Sequence, residues 1–272
     1  MNKTILITGS STGIGRATVL YFQQKGWNVS ATMRNPAKEK ELTQLPHVIC
    51  PALDVTSEES IQSAIAATIA QFGKIDVIVN NAGYGLTGPF EGTTEEQIKK
   101  QFETNVFGLM RVTRLILPYF RQQHSGTIIN ISSMGGRLVF PYYSLYHGTK
   151  WAIEGFTESL RFELEPLGIR VKIIEPGAIK TDFYDRSRDS SLDSAPEEYQ
   201  ALAKIGFKNM DKVGEEGSLP EDVAAVVYKA AQDSSGKIRY PIGKNSGSLL
   251  LLRRLIPDGM FAKIVSQTVF KS

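Results

Sequence analysis

Tyr146 and Lys150 stand four residues apart at the start of a helical pattern, a spacing that sets a phenol and an ammonium on one helix face. Just upstream, Ser133 follows the apolar run TIINIS, which reads as a buried strand. A phenol titrates near ~10, so moving it to ~7 needs about 4 kcal/mol of preferential stabilisation of the phenolate. One ammonium about 5 Å away in an effective dielectric of ~20 supplies roughly 3 kcal/mol. A second positive charge would complete the shift. Tyr146 would then act as a general acid or base, and Ser133 would hold a substrate oxygen in line. The same Tyr-x-x-x-Lys spacing recurs at Tyr21/Lys25 and Tyr240/Lys244, so the pair has no weight until the elements around it are placed.

The whole chain sets bounds on those elements. Its 272 residues can bury a substantial core, and 42% hydrophobic with 22% charged residues is a globular composition rather than a disordered one. A formal charge of +3, without a Lys/Arg cluster, gives no basis for nucleic-acid binding. Cys50, the only cysteine, sits in the apolar stretch HVICPALDV and reads as a core thiol, with a reducing compartment implied. Neither a secretory leader nor a run of ~20 apolar residues is recognisable, so a soluble cytoplasmic protein is expected. No metal site is expected.

Lys3 to Thr8 is a β-branched run ending in the turn TGSSTGIG, and Arg16 to Lys25 then reads as a helix stopped by Gly26. Strand, glycine turn and helix in that order suit a phosphate: N–H groups at the helix start attract the anion, and Gly9, Gly13 and Gly15 let it approach. The spacing G-x-x-x-G-x-G differs from the commoner G-x-G-x-x-G, and a simple tight turn is the alternative. A second strand is expected from Trp27 to about Thr32. An acid at its end would grip a ribose 2′-hydroxyl, yet the first acid after Gly26 is Glu39, while Met33 and Arg34 occupy the strand's end. Arg34, with Ser11 or Thr12, would instead meet a 2′-phosphate, which favours NADP(H) over NAD(H). A surface arginine with no such role is the other reading.

A third strand is expected from His47 to Leu53, and a helix capped by Ser57 that ends before Gly73. Asp54 either accepts from an adenine amino group or caps a turn. A fourth strand, Lys74 to Val79, leads into Asn80-Asn81-Ala82-Gly83, small residues that let a cofactor lie against the backbone or simply form a turn. A helix from Thr93 or Thr94 to Leu117, interrupted at Pro118, carries Asn105, which either bonds a backbone carbonyl or positions a water beside Lys150. Thr127 to Ile131 is the fifth strand, and the Tyr146 helix runs to about Glu165. Within that helix, Gly148 and Gly155 would permit close approach of the cofactor or of a second helix. The sixth strand, Arg170 to Ile174, runs into Glu175-Pro176-Gly177 and Thr181. Alternating strands and helices predict an α/β, Rossmann-type, doubly wound parallel sheet in a single domain, with ligand at the carboxyl ends of the strands. Tyr146 lies at such an end, unlike Tyr21 or Tyr240.

Taken in order, TGSSTGIG, LDV, NNAG, Asn105, ISS, YHGTK and PGAIKT resemble the motifs of the short-chain dehydrogenase/reductase family, core single-domain type, over nearly the whole chain. The resemblance implies that Tyr146 donates or accepts the proton, that Lys150 lowers its pKa and binds the nicotinamide ribose, that Ser133 holds the carbonyl or alcohol oxygen, and that Asn105 anchors a water in a relay. Ser133 rather than Ser132 matches, standing thirteen residues before Tyr146. Ile179 and Thr181 match positions that contact the nicotinamide carboxamide, and the motifs add Ile14, Val55, Pro176 and Gly177 to the cofactor-binding set. The strand end ATMR resembles the NADP-preferring branch that includes many retinol and 17β-hydroxysteroid enzymes. His147 departs from the small residue usual after the tyrosine; it either adds a titration near pH ~6.5 or lies at the helix side without a chemical part.

Residues 182–219 exceed an ordinary connection and are expected to form a lid over a bulky apolar substrate, using Phe183, Tyr184, Phe207 and Met210, with a short helix from Glu197 to Lys204. Pro220 to Gln232 reads as a helix and Lys237 to Ile242 as a last strand. The tail, about 246–272, is expected to wall the substrate, pair subunits or touch a lipid surface. The family often pairs through the helices bearing Asn105 and Tyr146, which implies a homodimer or homotetramer. The function expected is NADP(H)-dependent interconversion of a small-molecule carbonyl and alcohol. A catalytically silent dinucleotide sensor is the alternative, and a nucleotide-sugar epimerase or dehydratase fits the glycine spacing and length poorly.

Overall fold

The computed structural model describes residues 2–181 and 188–271. Seven strands form one parallel sheet: β1 (Thr4–Ile7), β2 (Asn28–Ala31), β3 (Val48–Ile49), β4 (Val77–Asn80), β6 (Gly126–Ile131), β7 (Ile169–Pro176) and β9 (Arg239–Ile242), in the order β3-β2-β1-β4-β6-β7-β9. Every pairing is parallel. The strands are short and apolar because both of their faces are covered: β1 and β4 have no exposed residue. The chain runs outward from β1 to β3 and then returns to β4, so a crevice opens beyond the carboxyl ends of β1 and β4.

Helices α1 (Gly13–Gln24) and α7 (Pro220–Gln232) cover one face, where Val19, Phe22, Val223 and Val227 pack on Ile5, Ile7 and Val29. Helices α2 (Glu58–Phe72), α4 (Leu109–Gln123) and α5 (Ser144–Leu164) cover the other, with Ile61, Ile65, Val112, Ile116, Phe120 and Leu160 against Leu6, Ile78 and Ile128. Buried amides set the position of α4 and α5 on the sheet. Asn80 donates to Asn130 at 2.9 Å and to Thr113 at 3.1 Å, and Asn130 donates to Thr157 at 2.8 Å. Each of these polar atoms would be expensive to leave unpaired.

The sequence misplaces several elements. Helix α3 (Glu95–Phe102) continues through a π-helical turn, Glu103–Gly108, into α4, and α4 runs past Pro118 instead of breaking there. Pro118 is exposed, while Val112, Ile116 and Phe120 on the opposite side are fully buried, and that burial outweighs the missing hydrogen bond. A separate two-stranded parallel sheet joins β5 (Gly85–Thr87) to β8 (Arg188–Ser190); three residues each, the latter all polar, give no alternation to read. The expected short helix after Glu197 is in fact α6 (Glu197–Glu215), nineteen residues long, so much of the expected lid loop is helix. Phe183 and Tyr184 lie outside the described residues. The tail folds as two helices, α8 (Ser246–Leu255) and α9 (Asp258–Val269).

Candidate active site

The turn between β1 and α1 is held against the end of β4. Asn81 donates from its side chain to Thr8 O at 2.9 Å and to Gly9 O at 3.0 Å, and Thr8 Oγ1 accepts from the backbones of Asn81 and Ala82. A Cβ at Gly15 would overlap Gly9 O, so only glycine lets the helix approach this closely. The start of α1 is bare: Thr12 makes no side-chain cap, and its first turn carries no acid. By contrast, α2 is capped by Ser57 and opens with Glu58 and Glu59. Unsatisfied N–H groups and an uncompensated positive dipole end are what a phosphate needs.

A continuous cavity of about 1170 Å³ runs from this turn to the tail helices. Gly9, Ser11, Thr12, Gly13, Ile14, Arg34, Asp54, Val55, Asn81, Ala82, Gly83, Pro176, Gly177, Ile179 and Thr181 line it, as do Ser133, Tyr146 and Lys150. Gly15 and Asn105 lie behind its wall. Arg34 is exposed on the groove, whereas Glu39 is tied to Arg16 at 2.7 Å and accepts from the backbones of Glu41 and Leu42, turned to another task. Asp54 Oδ1 accepts from Thr56 N and Oγ1, so its turn-capping part is realised alongside its place in the groove.

Beyond β6, Ser133 accepts from Gly135 N at 3.0 Å and donates to Pro176 O at 3.4 Å, and its hydroxyl lies beside the Tyr146 phenol, close enough to act on its titration. Two chemical groups from separate elements therefore meet at one point in the cavity. Burial pushes Tyr146 up to about 12; the Ser133 hydroxyl opposes this and neighbouring Tyr143 adds to it. Lys150 Nζ sits 5.6 Å from the Tyr146 ring centre and donates to Ile131 O at 2.9 Å. Its own burial lowers Lys150 to about 8, against the pull of Glu154. The expected fall of the phenol toward neutrality through Lys150 is thus not produced by the protein's own groups: desolvation wins.

Asn105 projects from the π-helical turn and clamps the backbone of Tyr84, accepting from its N–H at 3.1 Å and donating to its carbonyl at 2.8 Å, with Thr149 Oγ1 at 3.3 Å. His147 is buried with both nitrogens engaged: Nδ1 meets Gly135 O at 2.9 Å and Nε2 accepts from Phe140 N at 3.0 Å, which sets the ring proton on Nδ1. Burial lowers it to about 4, so it is neutral and does not titrate near pH ~6.5. It pins the loop after Ser133 to α5.

A buried charge cluster behind Lys150 escaped the sequence. Glu154 and Glu175 converge on Arg239 Nε at 3.0 and 3.7 Å, and Glu175 also pairs with Arg137 at 3.4 Å. Burial, and then repulsion from Glu154, push Glu175 up to about 7. The signal was a carboxylate closing an apolar strand and another one turn after Lys150. The apolar side of the cavity was foreseen in part: Met210 from the expected lid and Leu249, Leu252, Phe261 and Val265 from the tail line it, whereas Tyr84, Leu138, Phe140, Tyr143 and Val213 line it without having been foreseen. Phe207 packs on Tyr142 and Tyr143 rather than lining it.

Comparison with known proteins agrees with this geometry. The short chain dehydrogenase family matches residues 3–191. An uncharacterized oxidoreductase, YusZ of Bacillus subtilis, is 38% identical over 99% of the chain and 100% of its own length. A 3-ketodihydrosphingosine reductase of Bacteroides thetaiotaomicron is 34% identical over 89% and 88%. Among solved structures, a short-chain dehydrogenase from Streptomyces avermitilis superposes with a TM-score of 0.83 at 33% identity, covering 98% of this chain and 96% of that one. ElxO with NADP bound superposes with a TM-score of 0.73 at 30% identity, covering 89% and 98%. A glycine-lined groove, a Ser–Tyr–Lys cluster at the sheet's carboxyl edge and a family match over most of the chain lead to one conclusion: this chain belongs to the short-chain dehydrogenase/reductase family, a family of oxidoreductases.

Proposed function

We propose that the chain is an NADP(H)-dependent enzyme that interconverts a carbonyl and an alcohol on an apolar substrate, acting as one unit with α6, α8 and α9 as the substrate cover. The observation that carries this reading is the juxtaposition of Ser133, Tyr146 and Lys150 in one cavity, at the junction of a bare-ended groove and an apolar chamber. When bound, the nicotinamide ring supplies or accepts the hydride. Ser133 orients the substrate oxygen, and Tyr146, protonated at neutral pH, gives its proton to the alkoxide forming there. Lys150 then faces a phenolate, an attraction on the order of 3 kcal/mol at this spacing in a dielectric of ~20. Asn105 holds the Tyr84 loop and α5 together beneath these groups, beside any relay water.

Arg34 in the groove, with Glu39 engaged by Arg16, supports a 2′-phosphate and hence NADP(H). ElxO with NADP bound is in keeping with this. The leucine and aromatic lining of the chamber, and the relative named for 3-ketodihydrosphingosine, support a long apolar carbonyl compound more than a retinoid or steroid in particular. Exposed Trp151 and Phe162 on α5 and Tyr119 on α4 support pairing of copies through those helices. Replacing Tyr146→Phe tests the core of the reading: turnover of a carbonyl panel, followed by NADPH absorbance, drops about 10²–10⁴-fold while NADPH binding by fluorescence is kept. Near-normal turnover would leave the silent-sensor reading.

A further inference from the structure

We propose that the exposed apolar stripes of α8 and α9 dock on an anionic lipid surface, from which the apolar substrate enters the chamber; the substrate half of this rests on the function proposed above. The two helices are two-sided. Leu250 and Phe261 are buried against Met134 and Leu138, and Leu252 and Val265 line the chamber. Facing outward, Leu251 is 57% exposed, Leu255 71%, Met260 56% and Ile264 39%. Leu251 and Leu255, and Met260 and Ile264, are four apart, so each pair forms one stripe on its helix. Ile264 both lines the chamber and meets solvent, so the chamber wall reaches the surface on this face.

Charge selects the occupant. From Lys244 to Lys271 the chain carries five cationic side chains and a single carboxylate, Asp258, which is bound to Arg253 at 2.6 Å. Arg254 follows Leu251 by three and Lys263 follows Met260 by three, so each apolar stripe carries an exposed cation. A two-fold contact with a second copy would set cations against cations. An apolar face flanked by lysine and arginine instead matches acyl chains beneath anionic headgroups. No helix among the described residues is long and apolar enough to cross a membrane, so the association is peripheral.

The experiment is sedimentation of the full chain with vesicles of phosphatidylcholine alone or mixed with phosphatidylglycerol, at low and high salt. The expected result is at least about tenfold tighter binding to the anionic vesicles, weakened by salt. The variants Leu255→Glu with Met260→Glu, and Arg254→Glu with Lys263→Glu, each abolish it. Neither pair lines the cavity, so NADPH binding and turnover of a short water-soluble aldehyde stay unchanged, while KM for a long-chain carbonyl presented in vesicles rises. Equal affinity for both vesicles, or wild-type protein left in the supernatant, overturns the proposal. So does an assembly in vesicle-free buffer that Leu255→Glu dissociates, which would assign the face to a second copy. In each of these cases soluble-aldehyde turnover still stands as the separate measure of the catalytic reading.

Discussion

The two walls of the cavity are made differently. The wall proposed for the dinucleotide is backbone: glycine turns and bare N–H groups at the ends of β1 and β4, locked by Asn81 and Thr8. The wall proposed for the substrate is side chain: Met210, Leu249, Leu252 and Phe261 delivered by α6, α8 and α9 from the last third of the sequence, joined by Tyr84, Leu138, Phe140 and Tyr143 from earlier in the chain. A backbone wall admits little change without losing the cofactor. A side-chain wall can be refitted one residue at a time, which suits a family that keeps its cofactor and varies its substrate.

Substitutions can break or sharpen that contrast. The largest effect is expected from Gly15→Val, whose side chain meets Gly9 O and Asn81: NADPH affinity measured by fluorescence should fall more than about 100-fold, roughly 3 kcal/mol. A Gly15→Val enzyme that binds normally would show the turn to be more yielding than the contrast allows. Next, His147→Ala should lower chemical-denaturation stability by about 2–3 kcal/mol, because Gly135 O and Phe140 N lose their partner. Arg34→Glu should shift the NADPH/NADH preference in kcat/KM by about tenfold or more toward NADH. The smallest effect is expected from Met210→Ala on the substrate wall: KM for long-chain carbonyls rises about 3–10-fold while NADPH affinity holds.

The pH dependence sharpens the junction between the walls. Lys150 has its folded value lowered from 10.5 to about 8, so the unfolded chain binds the extra proton between those limits. Its contribution to stability therefore rises with pH across that window. The reduction rate should instead fall as pH climbs through about 8, because the charge facing the phenolate is lost. Rate and stability profiles moving together would remove Lys150 from the chemistry.

How much was legible follows the same division. Gly9, Gly13 and Gly15, Asn81 to Gly83, and the Tyr146/Lys150 spacing are local patterns, and they could be read because the backbone geometry they impose is local. Glu154 and Glu175 lie about twenty residues apart and acquire meaning only when β9 brings Arg239 between them. Pro118 misled because its exposed position within α4 is decided by packing rather than propensity. The tail announced its leucines but not which of them face inward, since that depends on α6 and on the loop that His147 holds.

The π-helical turn at Glu103–Gly108 carries a constraint on chain length. Such a turn holds one residue more than an α-helical circuit, and each residue turns a helix by about 100°. Deleting one residue there would re-phase α3 against α4 and swing Gln101 away from Leu86 N and Tyr84 O, which it now grips at 2.5 and 3.0 Å. The segment thus works as a gauge block: side chains along it can be exchanged, but the tally of residues between Glu95 and Gln123 cannot.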